Sequence, residues 1–490
     1  MNRSIRRLGV GIMVCYLALF AKLNWIQVVD APNLAANPLN TAEIRQSFNR
    51  PRGAITTVDG ALLAQSVANP DTSSEFERVR VYPEGDLFGQ VTGFFSFNYG
   101  SSGLEREYSD QLSGQTFDQQ VKGLGDLFVA EETVGNLTIS VRKDLQQIAR
   151  DQLGDRAGSV VAIDPRTGEL LAFWSFPTYD PNALSVTDLT EATKAWSLLN
   201  LDPAQPLRAH MYQERYFPGS TFKVVTGSTG LQTGLVTNDE PVYQTATSYL
   251  PAQTNLAISN FGGSSCGGAL PQILRVSCNS AFAEMGAETI GPELMVAGAE
   301  SFGFNRDVPI DMPAPVRSVF PTAVGNDPPK LAQASIGQND TSSTPMQMAM
   351  VAAGVANEGT IMTPHVMTEI RDSQGDLVQR FEPKAWLSPM SPEHAATMRD
   401  DMIGVVEGGT ATALRIPGFQ VGGKTGTAQL GTDPPRSHTW IIGFGGLPGQ
   451  LASVAVAVVV LDQDGGSEAT GGRVAAPIAK AVMEAALTVR

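Results

Sequence analysis

The sequence predicts an α/β fold: a five-stranded antiparallel sheet flanked by helices and interrupted by a helical subdomain, with a β-rich N-terminal module and one N-terminal transmembrane helix in front. Three observations predict it. An apolar run lies close to the N-terminus, short strand-like segments continue to about residue 135, and two groups of apolar strands enclose a long Ala-, Met- and Gly-rich stretch. Hydrophobic residues make up 42% of the 490 residues, enough to bury a large core.

The N-terminal apolar run covers residues 8–29 and follows three arginines. A helix of that length would span about 33 Å, close to the hydrocarbon thickness of a bilayer. The basic cluster predicts that the N-terminus stays cytoplasmic and that the rest of the protein lies outside. A signal peptide cleaved near Ala31 is the alternative. Because that position lies well beyond the most apolar stretch, which ends at Phe20, we assign residues 1–30 to a cytoplasmic tip and a retained anchor.

The remainder divides into two soluble parts, residues 31–135 and residues 136–490. The first part mixes short strand-like pieces with Gly- and Ser-rich stretches and is expected to be an irregular, β-rich, non-catalytic pedestal. The elements predicted in the second part are a strand at 137–140, a helix at 141–153, a hairpin of 159–163 with 170–174, a helix at 345–356, strands at 420–423, 439–443 and 453–461, and a closing helix at 474–487. We expect a catalytic cleft where the helical insertion meets the sheet.

Composition excludes several classes of function. The net charge is −15 and no basic run is present, so nucleic-acid binding is not expected. Four scattered histidines without an H-E-x-x-H pair, and only three cysteines, predict neither a metal site nor a cofactor. Cys266 and Cys278 would lie outside the membrane, either as a disulfide or as two reduced, buried thiols.

The first candidate catalytic motif is Ser220-Thr221-Phe222-Lys223, which follows a chain-breaking Pro-Gly pair and opens an amphipathic run. Ser220 is therefore expected at a helix N-terminus, with Lys223 on the same face one turn later. A desolvated lysine can act as the base that activates a serine hydroxyl, and the helix N-terminus offers N–H groups to an oxyanion. Standing alone, this pattern is more often a capping serine followed by a solvated lysine.

Two further motifs are weak when they stand alone. Ser277-Cys278-Asn279 places a hydroxyl and an amide in one tight turn, where they could relay protons and hold a substrate, although such a pattern is usually only a turn or a cap. Lys424-Thr425-Gly426-Thr427 follows two glycines in a predicted strand. Lysine and threonine suit a carboxylate, and the glycine permits close approach to the backbone.

Together the three motifs resemble the signature set of the penicillin-binding and serine β-lactamase fold. The whole chain is similar to monofunctional class B penicillin-binding proteins, the peptidoglycan D,D-transpeptidases, and most similar to the actinobacterial penicillin-binding protein A type. The resemblance extends through further boxes: Arg50–Ile55 with Asp59-Gly60 and Leu63-Ala64, Gly103-Leu104-Glu105 with Leu112-Ser113-Gly114, Asp164–Glu169 with Pro177–Asn182, and Ser335–Gln338 with Thr344-Pro345.

The resemblance implies a role for each candidate residue. Ser220 would be the acylated nucleophile and Lys223 its base, while Ser277 and Asn279 would relay protons and hold the stem peptide. Lys424, with Thr425, Gly426 and Thr427 beside it, would bind the terminal carboxylate, and the backbone N–H groups of Ser220 and Thr427 would form the oxyanion hole. The enzyme would release D-Ala from one stem peptide and join that stem to the amine of another, and β-lactams would acylate the same serine.

Other proteins share these three motifs. A D,D-carboxypeptidase would use water as the acceptor, but the N-terminal boxes are typical of transpeptidases. A class D β-lactamase leaves residues 31–135 and the anchor unexplained, and a membrane β-lactam sensor carries several transmembrane helices. A non-catalytic scaffold is disfavoured by the intact Ser220, Lys223 and Lys424. The resemblance also implies a membrane partner, a glycan polymerase of the shape, elongation, division and sporulation type.

Overall fold

The computed structural model describes residues 2–25, 48–116, 134–464 and 470–488. Its strands in chain order are β1 (Ile55–Thr57), β2 (Leu62–Ala68), β3 (Arg78–Val81), β4 (Phe95–Ser96), β5 (Gly100–Ser101), β6 (Asn136–Ile139), β7 (Gly158–Ile163), β8 (Leu170–Phe176), β9 (Tyr243–Ala246), β10 (Ser248–Tyr249), β11 (Ile258–Ser259), β12 (Cys266–Gly268), β13 (Ile361–Met362), β14 (Met367–Arg371), β15 (Leu377–Arg380), β16 (Ala385–Leu387), β17 (Gln420–Gln429), β18 (Arg436–Gly446) and β19 (Val454–Asp464).

The α-helices are α1 (Asn2–Asn24), α2 (Gly89–Thr92), α3 (Gly103–Glu107), α4 (Ser109–Leu112), α5 (Lys143–Leu153), α6 (Asn182–Ser185), α7 (Leu189–Leu201), α8 (His210–Gln213), α9 (Lys223–Gln232), α10 (Leu270–Arg275), α11 (Asn279–Glu284), α12 (Pro292–Ser301), α13 (Pro328–Ala334), α14 (Pro345–Ala356), α15 (Pro392–Gly408) and α16 (Gly471–Thr488).

Two compact units are present. The first comprises residues 1–50 and 68–78 and contains α1, which is solvent-exposed along its described length. In the described part of the chain, α1 is the one helix that is long and apolar enough to cross a membrane. The last residues of the predicted span, 26–29, lie outside the described residues, as do 31–47 and 117–133 of the predicted pedestal.

The predicted five-stranded sheet is confirmed, in the order β17-β18-β19-β7-β8 with every neighbouring pair antiparallel. The middle strand, β19, begins with an uninterrupted apolar run of eight residues, the first seven of them buried, as expected for a strand covered on both faces. Helices α5 and α16 pack against each other and on the sheet, and α14, buried throughout, packs on β7, β18 and β19.

A second sheet has the order β15-β14-β6-β1-β2-β3. Its strands β1 to β3 come from the predicted pedestal, whereas β6, β14 and β15 come from the part of the chain after residue 135. Pairing is parallel between β1 and β6 and antiparallel between β6 and β14. This sheet therefore contains strands from both sides of the predicted domain boundary between residues 135 and 136. The boundary itself stays a prediction.

Two of the N-terminal boxes meet in one buried ion cluster. Glu105 accepts hydrogen bonds from Nε of Arg52 and from Nε of Arg80, each at 2.6 Å, and from the Tyr82 hydroxyl at 3.2 Å. Burial alone would raise the pKa of Glu105, but the guanidinium groups of Arg80 and Arg52 hold that pKa below its usual value. Removing one partner of this cluster would leave an unpaired charge buried in the interior. The charged residues of these two boxes are therefore needed for folding stability.

Candidate active site

Ser220 lies in a 3₁₀ turn, Gly219–Phe222, that runs directly into α9. Ser220 is predicted at a helix N-terminus, and the structure differs only in that the first turn is 3₁₀. Gly219 has φ +53° and donates its N–H to the carbonyl of Gly337 at 2.9 Å. A Cβ on Gly219 would lie 2.7 Å from the carbonyl oxygen of Thr427, so the turn packs tightly against β17.

Lys223 is the first residue of α9 and is completely buried. Its Nζ donates to Oδ1 of Asn279 at 2.6 Å and to the carbonyl of Ser277 at 2.8 Å, and lies 3.4 Å from Oγ of Ser277. Over the described ranges, no residue hydrogen-bonds the hydroxyl of Ser220. The structure therefore brings Lys223 to the second motif, and its role as the base for Ser220 stays a prediction.

The second motif lies on a strained turn between α10 and α11. Ser277 has φ +59°, a region that costs a non-glycine residue free energy and is used where the surroundings enforce it. Cys278 is joined to Cys266 by a disulfide, which ties the turn to β12. Asn279 donates Nδ2 to the carbonyl of Ser259 at 3.0 Å while its Oδ1 accepts from Lys223. Both polar groups of its amide are thus engaged.

The third motif lies on β17, with Lys424 opposite Ile442 of β18. Lys424 is buried, and its Nζ donates to Oγ of Ser277 at 2.8 Å and to the carbonyl of Thr425 at 2.9 Å. A Cβ on Gly426 would lie 2.9 Å from the carbonyl oxygen of Pro218. Pro218, the residue before the serine turn, therefore packs closely against Gly426, and close approach of a substrate to this glycine stays a prediction.

The two threonines of the third motif have different surroundings. The hydroxyl of Thr425 is paired with that of Thr410 at 2.7 Å, and the residue is 7% exposed. Thr427 is half-buried and pairs with Thr439 across β17 and β18. Carboxylate binding by either hydroxyl stays a prediction.

Burial shapes the electrostatics of both lysines. Burial, together with the charge of Lys424, lowers the pKa of Lys223 well below its ordinary value. Burial also lowers the pKa of Lys424 to about 7. Burial therefore favours the neutral form of Lys223, whose amine can accept a proton, whereas Lys424, with a pKa of about 7, can carry the charge that a carboxylate needs.

Three residues that support this site had no role predicted from the sequence. Thr410 contacts the third motif, Gly337 accepts the N–H of the serine turn, and Asn260 accepts the N–H of Ser280 just after the second motif. Gly337 lies in a quoted box, and its positive φ of +75° is the kind of feature a glycine signals. No sequence pattern indicated a role for Thr410 or Asn260, because the residues that they contact are distant in the sequence.

A buried Ser–Lys helix, an S-x-N turn and a K-T-G strand on a five-stranded sheet define the active-site serine enzymes that penicillin acylates. Residues 158–484 match the penicillin binding protein transpeptidase domain, and residues 52–137 match the penicillin binding protein A dimerisation domain. The chain belongs to the penicillin-binding protein transpeptidase family.

Named relatives and solved structures agree with this assignment. The peptidoglycan D,D-transpeptidase PbpA of Mycolicibacterium smegmatis is 38% identical, with 99% of each chain aligned, and that of Mycobacterium tuberculosis is 36% identical with the same coverage. The penicillin G acyl-enzyme complex of M. tuberculosis penicillin-binding protein A superposes with a TM-score of 0.79 at 35% identity, covering 89% of this chain and 99% of that one.

Proposed function

We propose that this protein is a peptidoglycan D,D-transpeptidase that works through an acyl-enzyme on Ser220 and is inhibited covalently by β-lactams. One observation carries the proposal. The hydroxyl of Ser277 lies 2.8 Å from Nζ of Lys424 and 3.4 Å from Nζ of Lys223, so it joins the lysines of the other two motifs. The relatives named D,D-transpeptidases and the penicillin G acyl-enzyme of a similar protein support it.

In the first step, Oγ of Ser220 attacks the carbonyl carbon of the penultimate D-Ala, and its proton passes to the neutral amine of Lys223. Backbone N–H groups of Ser220 and Thr427 stabilise the oxyanion. The peptide C–N bond then breaks, and the departing D-Ala amine takes a proton that Lys223 delivers through Ser277. The products are an ester on Ser220 and free D-Ala.

In the second step, the amine of a neighbouring stem peptide attacks the ester carbonyl. Lys223 and Ser277 remove a proton from the attacking amine, and the same oxyanion hole stabilises the intermediate. The C–O bond to Ser220 breaks, the serine regains its proton, and a new peptide cross-link is left between the two stems.

Substrate orientation would fall to the other motif residues. The carboxylate of the terminal D-Ala would lie beside Lys424, with the hydroxyls of Thr425 and Thr427 as further donors. A bound carboxylate favours the charged form of Lys424, whose pKa burial lowers to about 7, so binding of substrate would complete its protonation. Ser277 and Asn279 would hold the backbone of the stem peptide.

We propose that the catalytic domain lies outside the cytoplasm. Helix α1 has arginines only at its N-terminal end, which favours retention of that end in the cytoplasm. The anchor and the N-terminal module would then contact a membrane glycan polymerase of the shape, elongation, division and sporulation type. Co-purification of such a polymerase with the full chain, and its loss when α1 is exchanged for an unrelated anchor, would test this part.

The test of the chemistry is labelling of the full-length protein with a fluorescent penicillin, followed by mapping of the adduct by mass spectrometry. We expect a stable adduct on Ser220 that is absent from Ser220→Ala. Ser228→Ala, which removes a buried hydroxyl further along α9, is the matched control and should label normally. Rapid turnover of the drug would indicate a β-lactamase, and an unlabelled protein would refute the assigned chemistry.

Transpeptidation is separated from hydrolysis with a second substrate. A stem peptide ending in D-Ala-D-Ala is incubated with the enzyme and a stem that carries a free amine. A cross-linked product and released D-Ala are expected, and only the hydrolysed stem would form if the enzyme were a carboxypeptidase.

A further inference from the structure

Asn260 is an almost completely buried side chain, 4% exposed, that lies just after β11 and outside the three motifs. Its Nδ2 donates to the carbonyl of Ala246 at 2.8 Å and to that of Ser264 at 3.1 Å. Its Oδ1 accepts the backbone N–H of Ser280 at 2.9 Å. One amide thus ties β9 and the segment before β12 to the first turn of α11.

The bond to Ser280 replaces a missing helix cap. The first N–H groups of a helix have no partner within the helix, and the side chain of the N-cap residue usually accepts one of them. Helix α11 has Cys278 at this position, and its side chain makes no such bond because its sulfur forms the disulfide. Asn260 supplies the acceptor from another part of the chain, at the N–H that an N-cap side chain would take.

This cap lies next to Ser277 and Asn279, the residues that accept hydrogen bonds from Lys223. Asn279 is the first residue of α11, and Ser277 precedes it with φ +59°. A residue in that region keeps its conformation only where its surroundings enforce it. Asn279 is also bound through Nδ2 to Ser259, the residue before Asn260. The segment of Ser259 and Asn260 therefore fixes both the side chain of Asn279 and the start of its helix.

We propose that Asn260 is a positioning residue for acylation: its Oδ1 caps α11 and thereby holds Asn279 and Ser277 where Lys223 contacts them. The inference rests on the proposed function, since acylation is the reaction that it serves. Asn260 itself would touch neither substrate nor the reacting atoms, and it would act through the placement of the second motif.

The experiment measures acylation of the full-length protein by a fluorescent penicillin over a range of drug concentrations. For Asn260→Ala, we expect the first-order acylation constant to fall at least tenfold while the half-saturating concentration changes less than threefold. Asn260→Asp keeps the acceptor for the N–H of Ser280 but loses both donors, so it should be less stable and yet, in its folded fraction, acylate at least threefold faster than Asn260→Ala. Asn260→Ser, judged by the same criteria, replaces Asn260→Ala if the alanine variant does not fold.

The matched control is Asn182→Ala. Asn182 also binds backbone with both halves of its amide, through the N–H and the carbonyl of Tyr82 at 2.9 and 2.8 Å. Because both hydrogen bonds are lost, the unfolding temperature should fall, as we also expect for Asn260→Ala. Acylation by Asn182→Ala should stay within twofold of the unaltered protein.

Two results would overturn the inference while leaving the proposed function intact: an equal loss of acylation in Asn260→Ala and Asn182→Ala, or a folded Asn260→Asp variant that acylates as slowly as the alanine variant. Both would require the unaltered protein to be labelled on Ser220. An unaltered protein that takes no label would overturn the proposed function, and the inference with it.

Discussion

Asp401 is a buried carboxyl group on α15, the helix that packs against β17 and its K-T-G motif. Its Oδ1 accepts from Nδ2 of Asn238 at 3.3 Å, whereas its Oδ2 has no partner among the described residues, and neither has Oδ1 of Asn238. Burial, with a smaller contribution from the charge of Asp400, raises the pKa of Asp401 from its ordinary 3.8 to about 7. We predict that Asp401→Asn stabilises the protein.

The magnitude follows from the pKa. Each factor of ten in proton affinity corresponds to about 1.4 kcal/mol, so ionised Asp401 costs at most about 4 kcal/mol of folding free energy above pH 7. Relaxation and water penetration would reduce this to about 2 kcal/mol. The folded state binds the proton more tightly than the unfolded state, so the stability that Asp401 costs grows as pH rises from about 4 to 7 and is constant above. Asparagine carries no charge, and its Nδ2 could donate to the unpartnered Oδ1 of Asn238.

Urea unfolding of the full chain between pH 4.5 and 8.5 measures this difference. We expect Asp401→Asn to be more stable than the unaltered protein by about 2 kcal/mol at pH 8 and by about 1 kcal/mol at pH 4.5, where the stability difference is still growing. Asp400→Asn changes the exposed neighbouring carboxyl and should have little effect at either pH. A stabilisation that does not depend on pH, or an equal one from Asp400→Asn, would refute the reasoning.

Three further predictions concern the active site. Acylation by penicillin should slow as the pH falls through the lowered pKa of Lys223, because only the neutral amine accepts a proton; a stopped-flow rate that never falls as the pH is lowered to the acid limit of folding would contradict this. Gly426→Ala should slow acylation at least tenfold, because its methyl would lie 2.9 Å from a carbonyl oxygen before the serine turn, whereas Gly404→Ala, with nothing within 4 Å, should acylate normally. Replacing Cys266 and Cys278 by serine should lower the free energy of unfolding in urea by about 2–4 kcal/mol, and an unchanged midpoint would show that the disulfide contributes nothing.

The central sheet was predictable because its signals are local. The turn sequence at Asp164–Gly168 separates two apolar runs and gives the antiparallel pair β7 and β8, as expected. The apolar run of β19 was long and continuous enough to indicate a strand buried on both faces. The boundaries of α14 coincide with the predicted 345–356, since Thr344 caps it and Pro345 opens it.

The second sheet was not predictable from local patterns. Strand β6 pairs with β14, whose residues lie more than two hundred positions later, and β1 joins β6 in parallel. Alternating apolar and polar residues predict that a strand exists, but they do not specify which distant strand it pairs with. For the same reason, no role was predictable for Asn260 and Thr410. Their contacts with the second and third motifs are tertiary contacts, which no local sequence pattern specifies.

The three motifs are coupled by packing as well as by hydrogen bonds. The turn that carries Ser220 is wedged between two backbones: a Cβ on Gly337 would lie 2.2 Å from the carbonyl oxygen of Gly219, and one on Gly219 would lie 2.7 Å from that of Thr427. A Cβ on Gly426 would meet the residue before this turn from the same strand. Because backbone atoms cannot yield as flexible side chains do, a methyl at any of these positions would displace the turn itself. Ser-x-x-Lys alone therefore specifies little, and its chemistry depends on glycines that the other segments bring against it.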